Sequence, residues 1–116
     1  MSYFYDILPL MKPVRLHRLL ERELNELDLD TRIRVAELLD LLSKGENLGM
    51  PVSRPMPVVA HGVHELRIKD RSGQYRIFYY VKHKDALLVF HLFKKKTQEA
   101  PAKELDLARK RLGEML

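Results

Sequence analysis

The sequence predicts an α+β domain: an N-terminal helical hairpin packed on a three- to four-stranded antiparallel sheet, closed by a C-terminal helix. Three observations predict it. Apolar residues keep helical spacing in two early segments, take strand-like alternation from His64 to about Lys94, and return to helical spacing after Pro101. The resulting order is helix, helix, strand, strand, strand, helix. The links between the strands are too short for crossovers, so the strands are expected to run antiparallel. At 116 residues the chain has the size of one domain, taken as residues 1–116. Such a chain buries roughly two thirds of its unfolded surface and needs no disulfide or metal to fold.

Tyr3–Ile7 reads as a short edge strand, and Pro9 and Pro13 interrupt regular structure after it. From Val14 to Leu27, Leu16, Leu19, Leu20, Leu24 and Leu27 keep helical spacing, while His17, Arg18, Arg22 and Glu26 fall off that stripe. Asp30 or Thr31 then suits an N-cap. The second helix carries Val35, Leu38, Leu39 and Leu42 on one side and ends at Ser43-Lys44-Gly45, where glycine fits the left-handed position after the last turn. Residues 45–62 hold three glycines and three prolines, which excludes a central strand or helix. A connector of that length is often functional. His64–Lys69, Tyr75–Val81 and Ala86 to about Lys94 are strands, joined at Asp70-Arg71-Ser72-Gly73 and at Lys82–Asp85. In the last helix Leu105, Ala108, Leu112 and Met115 form the buried stripe, and Pro101 suits its start.

Composition narrows the function classes. With no cysteine there is no disulfide framework, thiolate metal site or cysteine nucleophile. The five histidines show no metal-ligand spacing, and there is no glycine-rich phosphate loop, GxSxG or EF-hand pattern, so neither metal nor cofactor is expected. The longest apolar runs are a few residues, such as Leu87–Phe90, against about 20 for a membrane-spanning helix. The start, MSYFYDILPLMKP, has no basic region ahead of its apolar residues, so a cytoplasmic protein without membrane contact is expected. Residues 1–60 carry 8 basic and 9 acidic side chains, whereas residues 61–116 carry 13 and 7. A basic half on a small domain points to an anionic partner, most commonly nucleic acid.

Strand periodicity sorts that charge. Leu66/Ile68, Ile77/Val81 and Leu88/Phe90/Leu92 form the face expected under the helical hairpin. Arg67, Lys69, Arg76, Tyr80, His91 and Lys95 take the other, with Phe78, Val89 and Phe93 as an apolar floor partly covered by the last helix. A mid-strand arginine is costly unless a carboxylate or phosphate pairs with it. Glu65 lies on the same face, so the plain structural reading is a Glu65–Arg76 pair with a solvated Arg67. Lys94-Lys95-Lys96 repel one another locally and make sense beside a polyanion.

Three segments carry a family likeness: Gly62-Val63-His64-Glu65-Leu66-Arg67-Ile68, then Tyr75-Arg76-Ile77-Phe78-Tyr79-Tyr80, then Leu88 through Lys94-Lys95-Lys96-Thr97-Gln98. In this order they resemble the RelE/ParE toxin superfamily, most nearly its phage-derived, HigB-like branch. The likeness spans about residues 12–112 and is specific over 62–110. The chain departs from the pattern at Met1–Leu10, which does not match the family's opening strand, and at Val52–His61, which is longer and richer in proline.

The resemblance implies a RelE-like fold and a toxin of a type II toxin–antitoxin system. RelE- and HigB-like members cleave mRNA, usually on the ribosome, whereas ParE-like members poison DNA gyrase. A non-catalytic RNA-binding or interaction module is the third alternative. An RNase that uses the RNA's own 2′-OH needs positioning, charge balance on the phosphorane and two proton transfers, and no metal. Arg76 is assigned to the scissile phosphate, and Arg67 to a neighbouring phosphate or to orienting the substrate. Lys95 is the transition-state stabiliser or acid, and His91 or Tyr80 the base. Lys69, Tyr80, Lys94 and Lys96 are assigned to RNA binding. The implied partners are mRNA, the ribosome and a small antitoxin with a helix-turn-helix.

Overall fold

The computed structural model describes residues 11–96 and 100–116. Its elements are β1 (Val14–Leu16), α1 (Leu20–Asn25), α2 (Leu29–Ser43), β2 (Ser53–Pro55), β3 (Val63–Asp70), β4 (Gly73–Tyr80), β5 (Leu87–Lys95) and α3 (Ala102–Met115). The five strands form one mixed sheet in the order β1-β5-β4-β3-β2. The β2–β3, β3–β4 and β4–β5 pairs are antiparallel, whereas β1 runs parallel to β5. The expectation of three or four antiparallel strands is corrected on both counts. The predicted edge strand Tyr3–Ile7 and the Thr97-Gln98 end of the third motif lie outside the described residues.

The predicted helix Val14–Leu27 is instead a strand followed by a short helix. Pro13 and β-branched Val14 favour extended backbone. The Leu87 amide donates to the Pro13 carbonyl and the His17 amide to Val89, at 2.9 and 2.8 Å, so β5 takes the hydrogen bonds a helix would have made. Only Leu20–Asn25 remains helical, and it buries Leu20. α2 matches its predicted stripe, burying Val35, Leu38 and Leu39. Its N-cap is Asp28 rather than Asp30 or Thr31. Thr31 donates its hydroxyl to Asp70 at 2.7 Å, which ties α2 to the β3–β4 turn. Gly45, with φ of +93°, ends the helix in the left-handed conformation expected of it.

The connector contributes β2, an edge strand of three residues. Proline is tolerated there because its missing N–H is not needed by a further neighbour. Ser53 is buried, its hydroxyl 2.6 Å from that of Tyr79. The Asp70 carboxylate accepts from the Ser72 and Gly73 amides, the turn chemistry expected of Asp70–Gly73.

Each face of the sheet carries its own core. One joins α1 and α2 to Leu66, Ile68, Ile77, Tyr79, Leu87 and Val89. The other joins α3 to Val63, Phe78, Leu88, Phe90 and Phe93. Leu88, Phe90 and Val89 thus lie opposite to where strict alternation puts them. The cause is a bulge: Phe78 pairs with His91 but Tyr79 pairs with Val89, so Phe90 is an extra residue and the alternation of β5 reverses there. α3 is fastened over its core by Arg111, whose guanidinium grips Glu23 of α1, and by His17, whose Nε2 lies 2.8 Å from Glu114.

Candidate functional site

The α3 face of the sheet is ordered in rows by the strand register. Arg54, Glu65, Phe78 and His91 stand side by side across β2, β3, β4 and β5. Arg67, Arg76 and Phe93 form the next row, then Lys69, Gln74 and Lys95. The aromatic end of this face lies in the core under α3, with Ala108 and Leu112 packed among Phe78 and Phe93. The cationic end is open. There Pro51, Val52, Arg67, Lys69, Gln74 and Arg76 line a shallow hollow of about 360 Å³.

Glu65 organises the cations. Its side chain is 2% exposed, and one oxygen, Oε1, faces three guanidinium groups. Arg54 Nε donates to it at 2.7 Å, while the Nε atoms of Arg76 and Arg67 stand 3.5 and 3.8 Å away. One carboxylate therefore holds three arginines, and Lys95 stands close enough to feel Arg76 and Arg67. The strands dictate this crowding. Arg67 and Arg76 are directly opposite each other, and like charges so placed repel unless an anion lies between them.

Arg76 is 3% exposed and fully committed. Besides Glu65, its terminal nitrogens donate to the Tyr75 carbonyl at 3.3 Å and to the Gln74 side-chain oxygen at 3.1 Å. Burial pulls its guanidinium below arginine's usual value, Glu65 raises it, and Arg67 and Arg54 lower it further. Arg67 is half-buried, and its Nε is enclosed with no hydrogen-bond partner among the described residues. Burial, and then Arg76 and Arg67, push the Lys95 ammonium below the ordinary lysine value. The corner is a set of buried and half-buried cations with less anion than it needs, which suits it to hold phosphate groups.

A family model described as Phage derived protein Gp49-like (DUF891) matches residues 22–113, most of the chain and all of this corner. The chain belongs to the Gp49-like family. Gp49-like proteins are a RelE-like toxin family of toxin–antitoxin systems. No curated protein matches the chain.

Of the residues singled out in the sequence, this Gp49-like structure brings together Arg67, Arg76, Lys95 and Lys69. His91 it places elsewhere. That imidazole is buried, stacked on Phe93 at 5.7 Å, with Nε2 3.0 Å from the Glu104 carboxylate of α3. Its Nδ1 is enclosed without a partner among the described residues. Burial lowers its pKa, which Glu104 only partly offsets, so the ring is neutral and Nε2–H donates to Glu104. Tyr80 sits at the far end of β4, paired with Val63 and Leu88, some four residues from Arg76 and so roughly 13 Å along the strand. Lys94 projects from the opposite face, over the Tyr75 ring at 5.9 Å. Lys96 is exposed just past β5.

Arg54 and Gln74 also belong to this corner, although the sequence does not single them out. Arg54 lies between Ser53 and Pro55 in a segment that reads as a connector, and nothing local marks it. Only pairing of β2 with β3 sets it beside Glu65. Gln74 falls at a strand start and reads as turn-adjacent polarity, whereas it receives Arg76 and stands between Lys69 and Lys95. Among the described residues no cluster of three or more His, Asp or Glu could hold a metal ion, and no helix is long and apolar enough to cross a membrane.

Proposed function

We propose that the protein is a single-domain toxin of a type II system, of the HigB-like kind. In this reading it cleaves mRNA in the cytoplasm, on the ribosome, by turning the RNA's 2′-OH on the adjacent phosphate. The observation that carries this is the corner in which Arg54, Arg67 and Arg76 gather around the single carboxylate of Glu65, with Lys95 near enough to feel all four. The 2′-oxygen bonds to phosphorus, the bond to the 5′-oxygen breaks, and a 2′,3′-cyclic phosphate remains. The phosphorane formed on the way carries two negative charges, and prearranged cations stabilise it without reorganising. Arg67 grips the phosphate from the side of the hollow, and Arg76 supports it from the floor. Lys95, whose pKa is lowered, gives its proton to the departing 5′-oxygen, and the 2′ proton leaves to water at the open rim. Metal-free chemistry is then sufficient. Lys69 and Lys96 extend the cationic edge along the RNA backbone.

His91 and Tyr80 have no part in this scheme as bases, because one is sealed under α3 and the other is remote from the hollow. The partner in the cell is an antitoxin with a helix-turn-helix that keeps the corner from the ribosome.

The test compares purified wild type, Arg67→Ala and Lys95→Ala for cleavage of mRNA on programmed ribosomes. Wild type is expected to produce new 5′ ends, and each variant to lose at least tenfold in rate. Variants that cut at the wild-type rate would refute the assignment. Growth arrest on induction with mRNA left intact would replace it with gyrase inhibition, and high expression without arrest with a non-catalytic binding module.

A further inference from the structure

We propose that Arg54 is a further phosphate-binding residue, holding a second phosphate of single-stranded RNA beside the one at Arg67, with Glu65 as its positioning residue. The proposal rests on reading the corner as a phosphate site.

Arg54 is unusual in how it meets its carboxylate. An arginine paired with a carboxylate for its own sake commonly uses two parallel N–H bonds. Arg54 uses Nε alone, at 2.7 Å, and no other hydrogen bond engages its guanidinium among the described residues. Its side chain is 43% exposed, the most open of the three arginines. One guanidinium is thus divided: the inner nitrogen is fixed by a buried anion, and the two outer amino groups remain for a ligand. Fixing Nε removes much of the rotamer freedom that binding would otherwise cost.

The register gives the spacing. Glu65 and Arg67 lie two residues apart on one face of β3, about 7 Å. Arg54 stands directly opposite Glu65 on the edge strand, so its head flanks that of Arg67 one row along. Arg54 Nε and Arg67 Nε lie 2.7 and 3.8 Å from the same Glu65 oxygen, so the two guanidiniums are neighbours and successive phosphates of one strand would meet them in turn. The charge agrees: Glu65 neutralises one of three guanidiniums, and a second phosphate meets the excess that a single one leaves. Backbone contacts of this kind set position rather than base preference.

The probe is a fluorescent 2′-O-methyl RNA octamer, which offers phosphates but no attacking hydroxyl. Binding is followed by anisotropy from 25 to 200 mM salt. Each phosphate contact contributes about 0.7 to the slope of log affinity against log salt for a single strand. Arg54→Ala is expected to lower that slope by about 0.7 and the low-salt affinity several-fold. Lys103→Ala, which removes a charge from exposed α3, should leave the slope unchanged. Arg54→Lys separates ligand binding from mere structure. Its single ammonium is drawn to Glu65, so thermal stability returns to wild type while the slope does not. Wild-type affinity and slope in Arg54→Ala would overturn the proposal, as would full recovery of the slope in Arg54→Lys or an octamer that wild type does not bind. Octamer binding as expected, together with uncut mRNA on ribosomes, would refute the endonuclease reading and leave the Arg54 contact standing.

Discussion

The Arg111 guanidinium grips the Glu23 carboxylate through two bonds, of 2.6 and 3.0 Å, and so ties α3 to α1 across 88 positions of chain. A third bond, 3.2 Å to the Phe90 carbonyl, anchors the same group at the β5 bulge. Arg111 is 5% exposed, so removing its anion strands a buried charge. Glu23→Gln should therefore cost about 2 kcal/mol in urea unfolding, the upper values for a buried pair being discounted because Glu23 is one-third exposed. Arg111→Met, which leaves an apolar chain in an apolar place, should cost less. The reverse order would show that the pair is not what fastens α3.

His91 sets a pH dependence of stability. Burial lowers its native pKa below the ordinary 6.5, so as pH falls the unfolded chain takes up a proton before the native one does. Stability is complete above pH 6.5 and declines as the pH drops below it, until the native pKa is passed. His64, also lowered by burial and by Lys82, adds to the same slope. Urea midpoints between pH 7.5 and 5 should fall for wild type, and His91→Gln should flatten the curve in part. An unchanged slope in that variant would mean that His91 titrates as an ordinary surface histidine.

The α2 stripe, the Asp70–Gly73 turn and the shared face of Arg67, Lys69, Arg76 and Lys95 were legible in the sequence because each depends on local chemistry: helical spacing, Asx hydrogen bonding and period-2 alternation. What escaped depends on partners distant in the chain. Val14–Leu16 has apolar residues at both helical and strand spacing, and the choice is made by β5, some 73 residues on. The reversal at Phe90 is a register event, invisible to alternation within one strand. The role of His91 depends on α3 covering it, and that of Arg54 on β2 pairing with β3.

Lys95 links the cluster to a pH profile of activity. Its ammonium donates a proton in the proposed cleavage, and burial with Arg76 and Arg67 nearby lowers its pKa from 10.5. The protonated form predominates below that pKa, so the single-turnover rate should be lost as pH rises through it, earlier than for an ordinary lysine. Lys95→Arg keeps the charge and surrenders the transferable proton. RNA affinity should hold within a few-fold, the rate should fall by about 10²–10⁴, and the alkaline limb should vanish. A variant that retains the limb would assign it to another group.

Arg67 and Arg76 face each other across β3 and β4 yet should answer truncation differently. Arg76 is buried and makes three polar contacts, to Glu65, Tyr75 and Gln74. Its loss leaves a cavity and takes one of three cations from a sealed carboxylate, so Arg76→Ala should lose about 2–3 kcal/mol of stability as well as cleavage. Arg67 is half-buried, 3.8 Å from Glu65, and repelled by Arg76. Removing it relieves a like-charge opposition while Arg54 and Arg76 still satisfy Glu65. Arg67→Ala should therefore fold with wild-type or slightly greater stability and fail in cleavage. Thermal melts read beside ribosome cleavage separate the two roles. If Arg67→Ala is the less stable of the pair, its guanidinium is a structural partner of Glu65, and the phosphate assignment passes to Arg76.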